Sequence, residues 1–348
     1  MLTSIQTAGH EEVYRVRDPE AGLTGFIALH STLRGPAAGG LRMRPYGTDD
    51  EALADVLRLS RGMSFKNAAA DLPLGGGKAV IIGDPLRDKT PALLHAMGRA
   101  VEALEGRYWT AEDMGMSPAD MRELARETSY VAGLAEGDFA SGDPSPVTAR
   151  GVFNALRIGC KHRFGSDDLT RRRVAVQGLG HVGMHLCELL HRAGALLTVC
   201  DPDHDLVAAA VHRFGAVGVL PDAIYGVSAE VFAPCAIGGV LNRRSISRLR
   251  VGLVAGAANN QLAGLADADA LQARGILYAP DYVANGGGII NVATEILRVQ
   301  DSGPWVAARL AALEETMERT LSRAIAGDIS PARIADSTIE TAMLRPAA

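Results

Sequence analysis

Two lysines and one aspartate have the types and surroundings that could carry out acid/base chemistry. Lys78 stands between three glycines and the buried-strand run Ala-Val-Ile-Ile, Lys66 ends a helical pattern, and Asp113 closes the run that begins at Tyr108. Removing the amine of a 2-amino acid requires a carboxylate anchor, a hydride acceptor, a group that takes the amine proton and a base that activates water. Lys66, NAD, Asp113 and Lys78 are candidates for these roles.

Other interpretations of these residues are weaker. A lysine taken alone is more often a solvated side chain than a catalyst. A phosphate loop around Lys78 would need glycine where Leu72 stands and serine or threonine where Ala79 stands. His181 and His185 share a helix face but have no acid between them and no third ligand nearby, so we predict no metal site.

A glycine-rich turn in the second half of the chain is typical of dinucleotide binding. Gly178-Leu-Gly180-His-Val-Gly183 follows the apolar strand Val174 to Val176 and opens a helix. Gly178 permits the tight turn, Gly180 lets the backbone approach a pyrophosphate, and Gly183 lets helix and strand pack closely. The alternative is a plain strand-turn-helix.

A carboxylate ends the next predicted strand. Asp201 follows Leu196-Leu-Thr-Val-Cys200, and an acid there accepts hydrogen bonds from ribose hydroxyls and repels a 2'-phosphate. No Arg or Lys lies in the next several positions, so NAD is predicted over NADP. The alternative is that Asp201 is a helix N-cap or turn residue beside Pro202.

The elements that position these residues follow from periodicity and turn signals. A helix is predicted from Thr48 to near Lys66, and a Gly, Ser, Asp and Pro-rich connection spans 137–146. A linking helix follows over 147–160. Strand-like and helix-like segments then alternate until about Leu297, which indicates a parallel sheet covered by helices. Two helices split near 327–331 complete the chain.

Length and composition indicate two globular domains. The 348 residues are 47% hydrophobic and 22% charged. The formal net charge of -5 does not indicate a nucleic-acid-binding surface. No apolar run approaches the ~20 residues that span a membrane, and the polar N-terminus has no signal-peptide core. We therefore expect a cytoplasmic protein without membrane or nucleic-acid partners.

The four scattered cysteines are expected to be buried, reduced thiols.

The chain resembles the glutamate/leucine/phenylalanine/valine dehydrogenase family, and most closely its leucine, valine and phenylalanine members. The resemblance covers nearly the whole chain and loses definition after about Ser302. The motifs that carry it are Gly35-Pro-Ala-Ala-Gly-Gly40, Leu74-Gly-Gly-Gly-Lys-Ala-Val-Ile-Ile82, Thr110-Ala-Glu-Asp113, Pro144-Ser-Pro-Val-Thr148, Val174-Ala-Val-Gln-Gly-Leu-Gly180, Phe232-Ala-Pro-Cys-Ala236, Ala255-Gly-Ala-Ala-Asn-Asn-Gln261 and Tyr278-Ala-Pro-Asp-Tyr-Val-Ala-Asn285.

The resemblance implies an α/β fold of two domains with a cleft between them. Residues 1–145, with about 328–348, would form an α/β substrate-binding and oligomerisation domain, and 146–327 would form a Rossmann-type NAD-binding domain. A homo-oligomer is implied, of a size that the sequence leaves open.

The resemblance also implies roles for particular residues. Lys78 would activate water, Asp113 would relay protons to and from the amino group, and Lys66 would bind the substrate carboxylate. The other implied substrate-binding residues are Gly39, Gly40, Asn260, Asn285 and the apolar side-chain pocket Ala38, Ala111, Ile289 and Val292. The implied cofactor-binding residues are Gly178, Leu179, Gly180, His181, Val182, Gly183, Asp201, Thr148, Ala236 and again Asn260.

The four pocket residues favour an apolar L-amino acid, converted reversibly to its 2-oxo acid and ammonia. Glutamate is disfavoured because its distal carboxylate would be buried without a partner. Ile289 and Val292 favour branched-chain leucine, valine or isoleucine, whereas the small Ala38 resembles the phenylalanine type, so an aromatic substrate is the alternative. More remote alternatives are a catalytically inactive NAD-binding sensor and a 2-hydroxy-acid dehydrogenase, which would want an Arg/His pair in place of the lysines.

Overall fold

The computed structural model describes residues 1–137 and 139–345 and separates into two compact units. The first unit contains 1–143, 289–306 and 339–348, and the second contains 144–288 and 307–338. Residue 138, inside the predicted connection, and residues 346–348, at the end of the predicted first domain, lie outside the described residues. The domain limits expected from the sequence stay a prediction.

The first unit is built on a seven-stranded mixed sheet. Its strand order is β1-β2-β3-β6-β4-β7, and β5 also pairs with β6. β1, β2, β3 and β6 pair antiparallel in that order. β6 pairs in parallel with β4 and β5, and β4 pairs in parallel with β7. The strands are β1 (Leu2–Ser4), β2 (Glu12–Asp18), β3 (Leu23–Ser31), β4 (Ala37–Ala38), β5 (Leu41–Arg44), β6 (Gly75–Ile82) and β7 (Tyr108–Trp109).

Helices cover both faces of this sheet. On one face, α1 (Asp49–Ala69) buries Val56 in a cluster with Phe26 and Val80. On the other, α2 (Pro91–Glu102) and α3 (Pro118–Leu124) bury their apolar faces in the larger core of the unit. The predicted start of α1 is confirmed, because Thr48 is its N-cap and accepts a hydrogen bond from the Glu51 backbone NH. The helix ends at Ala69, slightly beyond the predicted end.

The second unit has the architecture that the sequence predicts. Its six strands are all parallel, in the order β10-β9-β8-β11-β12-β13, which is the doubly wound order of a Rossmann fold. The strands are β8 (Arg173–Gln177), β9 (Leu196–Cys200), β10 (Val217–Gly218), β11 (Val231–Pro234), β12 (Leu253–Val254) and β13 (Leu277–Tyr278).

The remaining elements are helical. They are α4 (Ser145–Phe164), α5 (His181–Arg192), α6 (His204–Phe214), a 3-10 turn (Ala223–Gly226), α7 (Arg243–Arg248), α8 (Leu265–Ala273), α9 (Asp281–Ala284), α10 (Gly287–Ile296), α11 (Ser302–Gly327) and α12 (Pro331–Met343). The predicted linking helix, α4, and the two terminal helices, α11 and α12, are confirmed. The four cysteines are free thiols, as predicted, and three of them are buried. In the described part of the chain, no helix is both long and apolar enough to span a bilayer.

A buried carboxylate holds α10 within the first unit. The Glu295 side chain accepts hydrogen bonds from the Gly133 NH at 2.6 Å and from the Ser141 NH and Oγ at 3.3 and 3.0 Å. One turn earlier, Asn291 Nδ2 donates to the Ser141 carbonyl at 2.8 Å. Because α10 also carries Ile289 and Val292, these bonds fix the helix on which two predicted pocket residues stand.

Replacing Glu295 with Ala should therefore destabilise the first unit. The backbone donors of Gly133 and Ser141 lose a charged acceptor, which we expect to lower the free energy of unfolding by about 2–3 kcal/mol. Both tryptophans, Trp109 and Trp305, belong to this unit, so their fluorescence during urea denaturation reports on it.

The matched control is Glu315→Ala, which removes an exposed glutamate from α11. Its unfolding midpoint should match that of the wild type. Equal midpoints for the two variants would show that Glu295 does not stabilise the unit.

Candidate active site

The site in the first unit forms at Gly39 and Gly40, which lie between β4 and β5 and interrupt the pairing with β6. Both short strands run parallel to β6, so the interruption faces the middle of that strand. A Cβ added to Gly39 would lie 1.9 Å from the Gly77 carbonyl oxygen, and one added to Gly40 would lie 2.8 Å from the Asp113 Cβ. Any side chain here would push the neighbouring segments apart.

The three glycines before Lys78 serve close packing of the backbone. A Cβ on Gly75 would lie 2.0 Å from the Ser31 carbonyl oxygen, one on Gly76 would lie 2.2 Å from the Ser64 nitrogen of α1, and one on Gly77 would meet the Tyr108 ring at 2.6 Å. This spacing explains the glycine run without a phosphate. It agrees with the sequence argument against a phosphate loop.

Lys78 and Asp113 meet at this interruption. Lys78 lies in β6, and Asp113 follows β7 just after the bridge between Leu41 and Glu112. The Lys78 Nζ lies 2.7 Å from the Asp113 Oδ2, and the two side chains are only 7% and 23% exposed. The structure therefore joins the two predicted catalytic side chains in one ion pair, at a distance that allows proton transfer.

The structure adds to this site Arg42, which the sequence analysis missed. Its Nε donates to the same Asp113 Oδ2 at 3.1 Å, and its Nη1 donates to the Asp55 Oδ2 at 3.1 Å. Burial alone would raise the pKa of Asp113, but the charges of Lys78 and Arg42 outweigh it, so that pKa lies well below its ordinary value. The signal available in the sequence was a positive residue two positions after the glycine pair.

The turn after Asp113 packs against β5. Gly115 has φ +80° and lies so close to the Met43 carbonyl that a Cβ would be 2.0 Å from its oxygen. Met114 is 56% exposed, whereas Met116 is buried in the core. The two methionines are accommodated without displacing Asp113.

Lys66 lies in the last turn of α1 and is half-buried. Met63, one turn earlier on the same side of the helix, approaches Gly39 so closely that a Cβ there would be 2.9 Å from its Cγ. This contact brings the side of α1 that carries Lys66 towards the interruption. Its role as carboxylate anchor stays a prediction.

The predicted pocket residues lie on three segments of the same unit. Ala38 is fully buried in β4, paired with Trp109. The Ala111 carbonyl accepts a hydrogen bond from the Leu41 NH at 2.8 Å. Ile289 and Val292, both 8% exposed, lie on α10. That these four side chains bind the substrate side chain stays a prediction.

The glycine-rich turn of the second unit has the geometry that a dinucleotide requires. Gly178 has φ +94°, and a Cβ there would lie 2.8 Å from the Ala236 nitrogen. A Cβ on Gly183 would lie 2.0 Å from the Gly178 carbonyl oxygen, whereas nothing lies within 4 Å of a Cβ on Gly180. The two outer glycines are required by packing, and the space beside Gly180 is open.

Helix α5 begins directly at this turn. Gly180 is its N-cap and provides no side chain to bind the first amides, which belong to His181, Val182 and Gly183. Amides at a helix N-terminus bind anionic groups well, because they add hydrogen bonds to the helix dipole. The residues present therefore fit the pyrophosphate of a dinucleotide.

Asp201 is fixed at the end of β9 by two backbone donors. Its Oδ2 accepts from the Leu179 NH at 2.7 Å, and its Oδ1 accepts from the Asp203 NH at 2.9 Å. The alternative that Asp201 caps the next helix is wrong, because Asp203 is the N-cap of α6. As a turn residue, Asp201 stands beside the glycine-rich turn, as a ribose-binding acid must.

The other predicted residues of this unit lie on loops and helix ends. Asn285 is 3% exposed, and its Nδ2 donates to the Ala257 carbonyl and to the Asn259 Oδ1, each at 3.0 Å. Its Oδ1 is buried without a hydrogen-bond partner among residues 1–137 and 139–345. Asn260 is exposed, with φ +52°. The Thr148 Oγ1 donates to the Pro144 carbonyl at 2.9 Å.

Gly286, which follows Asn285, has a packing reason to be a glycine. A Cβ on Gly286 would lie 2.9 Å from the Leu313 Cδ1 of α11. Leu313 itself is buried. This leucine fills the volume that a larger residue at 286 would occupy.

Comparison with known proteins identifies the family. A model described as "Glu/Leu/Phe/Val dehydrogenase, dimerisation domain" matches residues 10–130, and one described as "Glutamate/Leucine/Phenylalanine/Valine dehydrogenase" matches 207–328. The leucine dehydrogenase of Geobacillus stearothermophilus is 50% identical over 292 residues, which are 84% of this chain and 80% of that protein. The phenylalanine dehydrogenase of Caldalkalibacillus thermarum is 49% identical over 300 residues, 85% of this chain and 81% of that protein.

A solved structure supports the same relationship. The L-tryptophan dehydrogenase of Nostoc punctiforme has a TM-score of 0.83 and 38% identity, and the match covers 97% of this chain and 96% of that one. Together with the paired Lys78 and Asp113, these matches show that the chain is an amino-acid dehydrogenase and belongs to the glutamate/leucine/phenylalanine/valine dehydrogenase family.

Proposed function

We propose that this enzyme uses NAD to deaminate an apolar L-amino acid oxidatively and reversibly, giving the 2-oxo acid and ammonia, with leucine, valine and isoleucine favoured. The observation that carries the proposal is the 2.7 Å contact between the Lys78 Nζ and the Asp113 Oδ2. This contact places Lys78, the proposed base that activates water, beside Asp113, the proposed carboxylate that exchanges protons with the substrate amine. The 50% identity to a leucine dehydrogenase supports the substrate class.

The reaction assigns one task to each side chain. Lys66 holds the substrate carboxylate, and Asp113 takes a proton from the amino group. Bound NAD would supply the hydride acceptor for the Cα hydrogen. Lys78, as the free amine, then takes a proton from the water that adds to the resulting iminium, which gives a carbinolamine. Asp113, 2.7 Å from Lys78 in the structure, returns its proton to the nitrogen, and it accepts the hydroxyl proton as ammonia leaves and the carbonyl forms.

The residues for NAD are those of the glycine-rich turn and the acid beside it. The amides of His181 and Val182 would bind the pyrophosphate, and Asp201 would accept hydrogen bonds from the ribose. Each oxygen of the Asp201 carboxylate already accepts one backbone NH and keeps a second lone pair for a hydroxyl. Thr148, Ala236 and Asn260 would complete the site.

An aromatic substrate is the second candidate. It is supported by the small Ala38, by the 49% identity to a phenylalanine dehydrogenase and by the similarity to a tryptophan dehydrogenase. A hydrophobic pocket separates ligands that differ by one methylene by only ~1–3 kcal/mol, so close relatives can differ in preference.

We also propose that the enzyme works as a homo-oligomer assembled through its first unit. The support is the match of a family model described as a dimerisation domain to residues 10–130. The cytoplasmic location expected from the sequence stays a prediction.

A substrate panel tests the proposed reaction. NADH formation is followed at alkaline pH with leucine, valine, isoleucine, phenylalanine, tryptophan, glutamate and alanine, each with NAD and with NADP. The highest kcat/KM should belong to a branched-chain amino acid with NAD. A preference for phenylalanine or tryptophan would favour the second candidate, and glutamate as the best substrate would contradict the apolar pocket. Absence of turnover with intact NAD binding would favour a sensor.

Replacing Lys78 with Ala should lower kcat by about 10²–10⁴-fold, because water loses its base. NAD binding, measured by fluorescence titration, should not change. The matched control is Lys89→Ala, since Lys89 forms an ion pair of the same length, 2.7 Å, with Asp120 in the same unit. A Lys78→Ala enzyme as active as the Lys89→Ala control would rule out this mechanism.

Replacing Asp201 with Asn should change the choice between cofactors. The amide keeps an acceptor for the Leu179 NH but loses the charge that strengthens ribose binding and repels a 2'-phosphate. The ratio of kcat/KM for NAD to that for NADP should fall about tenfold, which corresponds to ~1.4 kcal/mol. Asp203→Asn, at the neighbouring helix cap, is the control. An unchanged ratio in the Asp201 variant would show that this acid does not discriminate between the cofactors.

A further inference from the structure

We propose that Arg42 is a positioning residue for the reaction, whose guanidinium, held by Asp55, fixes the orientation of the Asp113 carboxylate. This inference rests on the proposed function. Arg42 lies in β5, and its Nε and Nη1 donate to Asp113 and Asp55, each at 3.1 Å. A planar group bound by two carboxylates through two nitrogens has little freedom to rotate.

Lys78 cannot provide this orientation throughout the reaction. In the proposed mechanism it must turn towards water, and its three-donor ammonium on a flexible stem defines no fixed direction. Arg42 keeps its charge throughout, because a guanidinium is not deprotonated in proteins. Its side chain is 14% exposed, so solvent competes weakly for its donors. When Lys78 leaves Asp113, the bond to Arg42 keeps the Oδ2 in place.

Asp55 is itself held from several sides. Besides Arg42, its carboxylate accepts from the Tyr46 OH at 2.9 Å and from the Arg58 Nη2 at 2.7 Å. It lies on α1, and its side chain is 10% exposed. Arg42 therefore links the catalytic carboxylate to the helix that carries Lys66, the predicted carboxylate anchor.

Arg42 also contributes to the charge balance at Asp113. The groups that act on this carboxylate are Lys78 from β6, Arg42 from β5 and the buried Tyr108 from β7. Against the opposing effect of burial, the two cations lower the pKa of Asp113. Removing the Arg42 charge must raise that pKa. Both proposed acid/base groups must lose a proton before they can accept one, and loss of a nearby positive charge makes that harder. The acidic limb of the pH profile should therefore move to higher pH.

The test compares Arg42→Met with Arg15→Met in the full-length enzyme. Arg15 forms an ion pair with Asp49, so it also ties a strand of the sheet to α1, but it does not touch Asp113. With leucine and NAD, Arg42→Met should lower kcat about 10–100-fold, the loss expected from misplacing a catalytic group. Its KM for leucine should change less than about threefold. The acidic limb of kcat/KM should rise by about one pH unit.

Arg15→Met should keep the wild-type kcat and pH profile. Tryptophan fluorescence establishes that both variants are folded. If Arg42→Met does not fold, Arg42→Lys and Asp55→Asn replace it. Lysine keeps the charge but cannot reach both carboxylates, and the Asn variant loosens the guanidinium, so each should lower kcat at least about fivefold.

Each alternative outcome has a defined meaning. An Arg42→Met enzyme with the kcat and pH profile of Arg15→Met would overturn the inference and leave the proposed function intact. The inference would also be overturned if the loss of activity in Arg42→Met only followed the fraction of folded protein and the acidic limb did not move. Wild-type kcat in both Arg42→Lys and Asp55→Asn would overturn it as well. A wild-type enzyme that deaminates none of the amino acids would overturn the proposed function and this inference with it.

Discussion

The first unit depends on one carboxylate oxygen, the Asp113 Oδ2, which is shared by Lys78 and Arg42. Two cations this close would repel each other in a largely buried site, and the carboxylate between them offsets that repulsion. Each charge comes from a different segment: β6, β5 and the loop after β7. Removing the carboxylate would leave the two buried cations without their shared counter-charge. The same interaction therefore aligns these segments and lowers the pKa of the Asp113 carboxyl.

The charges can meet only because the backbone around them lacks side chains. Gly39 lies against the Gly77 carbonyl, and Gly40 lies against Asp113 itself. The Tyr108 OH, fully buried, donates to the Gly39 carbonyl at 2.7 Å and closes the arrangement from the opposite face. A Cβ at either glycine would separate segments whose charged atoms are about one hydrogen bond apart. In this site, backbone packing is a precondition for the electrostatics.

The sequence predicted the parts of the molecule whose signals are local. The start of α1 was readable from Thr48 and the acids after it, and the turn at Gly178 from glycine spacing after a strand. Lys78 and Asp113 were both named as candidates, but their ion pair was not predicted, because 35 positions separate them along the chain. Arg42 and Glu295 were not predicted at all. A lone charged residue in a short strand or helix carries no sign of its partner, which tertiary packing alone provides.

In the second unit, one side chain combines a structural and a proposed recognition role. Asp201 holds the Leu179 NH inside the glycine-rich turn, next to the amides proposed to bind pyrophosphate. The acid proposed to bind the ribose therefore also fixes the loop proposed to bind the phosphates. Replacing it by a small neutral residue, as acceptance of a 2'-phosphate would favour, leaves that NH without its acceptor and loosens the turn. Such a residue therefore requires a second change that supplies a new acceptor for Leu179, whereas asparagine at this position keeps one. Cofactor choice and the shape of the turn are thus coupled through a single carboxylate.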